Sequence, residues 1–292
     1  VYAIDEGDDP FDEACWAKAN PGIGVTPRWD EMRQRAVEAR AEPSKLNDFL
    51  RLRLNRPSSR SSRFFDPAAW SSVANSAALR PADGTEAWGG IDLGWTRDLS
   101  AFALWIPRGD RFEIVLRGWA PEEAARLRGD GLYGRWADDG WLTLTEGNAR
   151  DDDALEADIT ALCAGYAVRR VMYDRAYASG LVIRLGRAGI ACEPIGQGWL
   201  SLSPPLRELE QLVIGGKLAH GGNPVLAWAV ANADARADDL GNVRPVKPQR
   251  ASLDKIDPLS ATLDAIAGWL GDREPPATPF RSAYAEYRSL TI

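Results

Sequence analysis

Histidine is almost missing from this chain. His220 is the only one among 292 residues, so no histidine-based triad or histidine-rich metal site can be assembled. Cysteine is equally sparse. Cys15, Cys163 and Cys192 lie far apart and form no C-x-x-C, which excludes a disulfide framework and argues against zinc. No apolar run approaches the roughly 18 residues a membrane span needs. No G-x-x-x-x-G-K-[ST] occurs either: Gly215-Gly216-Lys217-Leu218 lacks the first glycine and the hydroxyl, so the chain is not a P-loop motor by itself. Positive charge is in deficit. The net charge of −7 and pI near 5.0 exclude a general nucleic-acid coat. Unpaired thiols and the lack of a signal peptide point to the cytoplasm, and a chain that starts at Val1 without methionine reads as a fragment.

What is present is ordinary globular material, with 45% hydrophobic and 26% charged residues. The 12 tryptophans are scattered singly, as expected for core and edge packing. Residues 1–24 are acidic and end in a turn-rich Ala-Asn-Pro-Gly-Ile-Gly. Thr26-Pro27 predicts a helix to about Ala41, with proline in its first turn. Pro43-Ser44 predicts another, carrying Leu46, Phe49, Leu50 and Leu54. Residues 25–85 thus read as a helical linker region, with a Ser/Arg-rich stretch from Arg56 to Arg63.

The main domain is expected over 86–271. Strands are predicted at Ala87–Leu93, Ser100–Ile106 and Arg111–Leu116, the last two joined at Pro107-Arg108-Gly109-Asp110. Residues 118–150 read as irregular. A helix over Asp151–Ala164 leads to a strand, Val168–Tyr173, whose apolar end Val171-Met172-Tyr173 suits a central parallel position. A helix at Leu181–Arg187, a strand at Ile190–Ile195, helices at Pro204–Ile214 and Asn223–Ala233, an extended Arg244–Pro248 and a helix over Asp257–Leu270 follow. Residues 272–292 form a Pro-rich tail. The order predicts an α/β layered domain with a mixed sheet: three antiparallel strands, then parallel ones, flanked by helices.

Three aspartates stand at element ends. Asp92 lies in Gly-Gly-Ile-Asp-Leu-Gly, Asp174 in Val-Met-Tyr-Asp, and Asp257 in Lys-Ile-Asp-Pro. As structural residues, Asp92 would order a turn, Asp174 would pair with Arg175, and Asp257 would cap a helix with Pro258 at its first position. As a set they suit hard divalent cations, which prefer oxygen ligands. Two such ions about 3.5–4 Å apart activate a water and stabilise the leaving oxygen of a phosphodiester. Convergence at one end of the sheet is therefore expected, as in a metal-dependent nuclease, with Asp98 in support. Arg244, Lys247, Arg250 and Lys255 fall within one 12-residue window and are the candidate DNA contacts; as a structural alternative they form a solvated loop.

Several blocks in order resemble the C-terminal part of a tailed-phage terminase large subunit. They are Trp16-Ala17-Lys18-Ala19-Asn20-Pro21-Gly22, Phe49-Leu50-Arg51-Leu52-Arg53-Leu54-Asn55, Gly90-Ile91-Asp92-Leu93-Gly94 with Asp98-Leu99-Ser100-Ala101, Trp119-Ala120-Pro121-Glu122, Trp141-Leu142-Thr143-Leu144-Thr145-Glu146-Gly147, Tyr173-Asp174, His220-Gly221-Gly222-Asn223-Pro224-Val225-Leu226 and Lys255-Ile256-Asp257-Pro258. The resemblance implies a ribonuclease-H-like fold and cleavage of double-stranded DNA with two Mg²⁺ or Mn²⁺ ions. It implies Asp92, Asp174 and Asp257 as the metal-binding acids, and residues 1–24 as the end of an ATPase region whose core is missing. It further implies portal protein and terminase small subunit as partners, an oligomeric full-length motor, a monomeric fragment and a location in the bacterial host's cytoplasm. Trp95 departs from the pattern. The alternatives are an actin-like or sugar-kinase ATPase, for which Asp174-Arg175-Ala176-Tyr177 fails as a second D-x-G-x-[ST] loop, and a non-catalytic DNA-docking module.

Overall fold

The computed structural model describes residues 2–5, 7–41, 49–56, 65–74, 84–94, 98–247 and 254–273. Arg250, Trp95, the predicted helix start at Pro43-Ser44 and the tail beyond Arg273 lie outside them. The chain divides into two compact units, one of Val1–Phe64 with Ala233–Ala235, the other of Phe65–Asn232 with Arg236–Ile292.

The first unit carries helices Glu13–Ala19 (α1) and Trp29–Ala41 (α2) and a π turn over Phe49–Arg53. Trp16, Met32, Ala36, Ala39, Phe49 and Leu54 form its core. The side-chain amide of Asn20 donates to the Arg53 carbonyl at 2.6 Å, tying α1 to the π turn. Helix α2 starts at Trp29 rather than at Pro27, with Asp30 and Glu31 in its first turn.

In the second unit, a short helix Pro67–Ser72 (α3) precedes strands Glu86–Asp92 (β1), Ser100–Arg108 (β2) and Arg111–Pro121 (β3). These form an antiparallel meander. Gly109, at φ 67°, supplies the left-handed turn between β2 and β3. The stretch expected to be irregular is ordered. It holds helices Glu122–Arg128 (α4) and Leu132–Asp138 (α5) and strand Thr143–Thr145 (β4), which pairs parallel with β3. Each element is too short for a hydrophobic period to register.

Helix Asp152–Cys163 (α6), strand Ala167–Asp174 (β5), helix Arg175–Arg187 (α7), strand Cys192–Ile195 (β6) and helix Trp199–Ile214 (α8) follow, then strand Leu218–Ala219 (β7), helix Pro224–Ala231 (α9), strands Asp234–Ala237 (β8) and Val243–Val246 (β9), and helix Asp257–Arg273 (α10). Two helices start earlier than their patterns indicated. Helix α7 begins directly after Asp174; its first turns escaped the pattern because Arg175–Gly180 carries no strong apolar stripe. Helix α8 begins at Trp199 and runs through Pro204 and Pro205.

The main sheet has seven strands in the order β4-β3-β2-β1-β5-β6, with β7 paired to β3. Strands β1, β5 and β6 run parallel. This is the expected mixed sheet, three antiparallel strands followed by parallel ones and flanked by helices. Strand alternation assigns its two faces. Ala87, Ile91, Phe102, Leu104 and Val171 pack with Leu155, Ile159, Cys163, Leu181 and Leu185 from α6 and α7. Trp88, Gly90, Asp92, Met172 and Asp174 alternate with these and belong to the opposite face, which α10 covers. The tryptophans, solitary in sequence, meet in space: Trp105, Phe112 and Trp269 form one group, Tyr133, Trp136 and Trp228 another. Among the described residues, no helix is long and apolar enough to cross a membrane.

Candidate metal centre

Strand β1 and helix α10 touch through their backbones. A Cβ on Gly90 would stand 2.0 Å from the Ala261 carbonyl oxygen and 2.5 Å from the Ala265 nitrogen. Only glycine permits this approach. It draws the end of β1 against the first turns of α10. Ile91 pairs with Tyr173 across the parallel β1–β5 ladder, so Asp92 and Asp174 end adjacent strands on the α10 face.

Asp257 opens α10. The Ser260 amide donates to the Ile256 carbonyl at 2.9 Å, which places Asp257 at the first helical position and not at the expected cap. Its carboxylate is therefore not needed for capping. Asp257 is buried, and its Oδ2 has no hydrogen-bond partner; Lys247 Nζ stands 3.6 Å from that atom as an ion pair, beyond hydrogen-bonding reach. Asp98 pairs with Lys255 at 2.6 Å.

A fourth carboxylate was not anticipated from the sequence. Asp264 is fully buried on α10. Its Oδ1 accepts from the side-chain amide of Gln197 at 3.2 Å, and its Oδ2 has no hydrogen-bond partner. The available signal was spacing: Asp264 follows Asp257 by seven residues, two turns on one helix face.

The acids act on one another. Enclosure, then the fields of Asp257 and Asp264, hold the Asp92 carboxyl well above the usual range, against a hydrogen bond from Ser260 and the Lys247 charge. Burial raises Asp257 as well; Lys247 and Lys255 oppose the shift and Asp98 adds to it. Burial pushes Asp264 up to about 8, with Asp174 contributing and Gln197 opposing. Asp92, Asp98, Asp174, Asp257 and Asp264 are thus one electrostatic cluster. Among the described residues, no three His, Cys, Asp or Glu side chains stand close enough to hold one ion. The donors nevertheless fit a hard divalent cation in kind, being all oxygen, with two buried oxygens orphaned. Such atoms are costly to leave unsatisfied.

The basic window is engaged with this cluster. Lys247 and Lys255 neutralise Asp257 and Asp98. The Arg244 guanidinium lies 4.6 Å over the Trp199 ring, and its Nη1 donates to the Gln197 carbonyl at 3.4 Å.

Comparison with known proteins gives concordant results. The family model described as "Terminase large subunit, endonuclease domain" matches residues 1–272. Protein YmfN of Escherichia coli (strain K12) is 27% identical over 283 residues, covering 91% of this chain and 61% of its own length. The terminase large subunit of Enterobacteria phage HK97 is 26% identical over 279 residues, covering 93% of this chain and 54% of its own. The crystal structure of the HK97 bacteriophage large terminase superposes with a TM-score of 0.63 at 24% identity, covering 92% of this chain and 56% of that one. The chain thus spans little more than half the length of these relatives.

Proposed function

This chain belongs to the family of terminase large subunit endonuclease domains, and from that membership we propose that it is a metal-dependent endonuclease that cuts double-stranded DNA during phage genome packaging. What supports this reading is that Asp92 and Asp174 end the adjacent strands β1 and β5 on the face covered by α10, and that the Asp257 charge at the start of α10 acts on Asp92. Open α/β sheets gather their ligands at that edge.

Asp92, Asp174 and Asp257 would hold two Mg²⁺ or Mn²⁺ ions. Bound there, the ions supply an activated water and stabilise the leaving oxygen of the phosphodiester. Asp98 supports the site by orienting Lys255, whose ammonium it holds at 2.6 Å. Lys247 screens the mutual repulsion of Asp92 and Asp257. Lys247 and Lys255 would meet the phosphates of the duplex, with Arg244, held by Trp199 and Gln197, beside them; Arg250 remains a candidate contact from its place in the sequence. Portal protein and terminase small subunit would be partners of the full-length oligomeric motor.

One observation favours a second reading, a non-catalytic DNA-docking module: two lysines already neutralise Asp257 and Asp98. Plasmid cleavage separates the two. The nuclease cuts only with Mn²⁺ or Mg²⁺, shows little sequence preference, and loses activity as Asp92→Asn or Asp174→Asn. Cleavage by Asp174→Asn at the parental rate would remove Asp174 from the site.

A further inference from the structure

Of the acids in this cluster, Asp264 is the hardest to explain as structure. It sits in a helix segment apolar on nearly every side, Leu259 to Trp269, and is wholly buried. It joins no ion pair among the described residues. A buried carboxyl with one hydrogen bond from a neutral amide and an orphaned second oxygen destabilises a fold. An alanine or leucine would pack at the same position without that cost. Its place is specific. Gly90, two residues before Asp92 on the same face of β1, lies so close that a Cβ there would stand 3.0 Å from Asp264 Cβ. Its charge acts on Asp92, and it senses Asp174. Gln197, just beyond β6, fixes Oδ1 and leaves Oδ2 free.

We propose that Asp264 is a fourth carboxylate of the divalent-cation site, offering its orphaned Oδ2 to the ion while Gln197 anchors its Oδ1. This rests on the metal-dependent reading above. Asp264 contributes to cation affinity from the buried side of the cluster, while Asp257 and Asp98 act from the side of the lysines. Gln197 is its positioning residue.

The test is Mn²⁺ binding by the full chain, followed by isothermal titration and by loss of the free-Mn²⁺ paramagnetic resonance signal, with no DNA present. Asp264→Asn keeps shape and the Oδ1 acceptor. It should retain the parental far-ultraviolet spectrum and weaken Mn²⁺ binding by about tenfold or more. Gln197→Met, which removes the anchor without touching a carboxylate, should weaken it about threefold. Asp92→Asn serves as the reference loss. Parental affinity in both Asp264→Asn and Gln197→Met, while Asp92→Asn loses binding, overturns the role of Asp264 and leaves the metal reading standing. A parent chain that takes up no Mn²⁺ overturns both. An Asp264→Asn chain that fails to fold assigns the carboxyl a structural role and also overturns the proposal.

Discussion

Asp264→Asn should flatten the dependence of folding stability on pH. Burial raises the Asp264 carboxyl from 3.8 to about 8 in the folded chain. The folded state then holds a proton that the unfolded chain releases. The stabilising contribution of that proton is fully present below the unfolded value near 3.8, declines as pH rises, and is gone by about 8. The slope approaches about 1.4 kcal/mol per pH unit, so from pH 5 to 8 the ceiling is about 4 kcal/mol. Asparagine does not titrate. Its amide nitrogen would replace the orphaned Oδ2 and add a penalty of about 1–3 kcal/mol. That penalty is the same at every pH, so it shifts the curve without tilting it. Urea unfolding in EDTA at four pH values, read by far-ultraviolet circular dichroism, isolates the tilt. Parent stability should fall steeply with pH and the variant's much less, because Asp92 also loses a repelling neighbour. Parallel curves for the two chains would refute the burial argument.

Gly90→Ala should destabilise by about 3 kcal/mol or more, since its Cβ meets backbone rather than a movable side chain; a thermal midpoint within about 2 °C of the parent would contradict the close approach. Lys247→Met should raise the Asp257 carboxyl further, since Lys247 opposes its upward shift, and an upward move in the pH profile of cleavage would record it. Lys247→Ala with Arg250→Ala should weaken duplex binding and flatten its salt dependence by about 0.9 for each phosphate left without its cation; affinities at several salt concentrations with an unchanged slope would return these residues to a solvated loop.

The strands that place the acids were legible because they are plain. Glu86–Asp92 and Ala167–Asp174 end in carboxylates, the first after Ala-Trp-Gly-Gly-Ile and the second after Val-Met-Tyr, and the Gly109 turn marks the hairpin. Their arrangement follows from connection rules: a hairpin pairs antiparallel, and a helical crossover returns parallel. Residues 118–150 were not legible, because their elements are held by tertiary packing. Arg128 lies 4.9 Å from the Tyr133 ring and 5.0 Å from that of Trp228, about a hundred residues on. Asp264 was hidden for the opposite reason. In an apolar helix one acid reads as a break in the pattern; only the closeness of α10 to β1, set by Gly90, turns it toward the other carboxylates. The two lysines read as phosphate ligands because sequence records their charge and not the acids they face.

The pairing of Lys247 and Lys255 with this cluster bears on the order of events at a polyanionic substrate. Five carboxylates against two ammoniums leave the cluster formally negative when ionised. In that state its field repels a phosphodiester. On the metal reading, two divalent ions would carry four positive charges and would invert the sign. With the ions bound, the carboxylates would have no need of Lys247 and Lys255 as counter-charges, and both ammoniums would become available to phosphate oxygens. On the metal reading the cluster is therefore a gate of changing polarity: cations enter first, DNA second, and the same two lysines serve each state in turn.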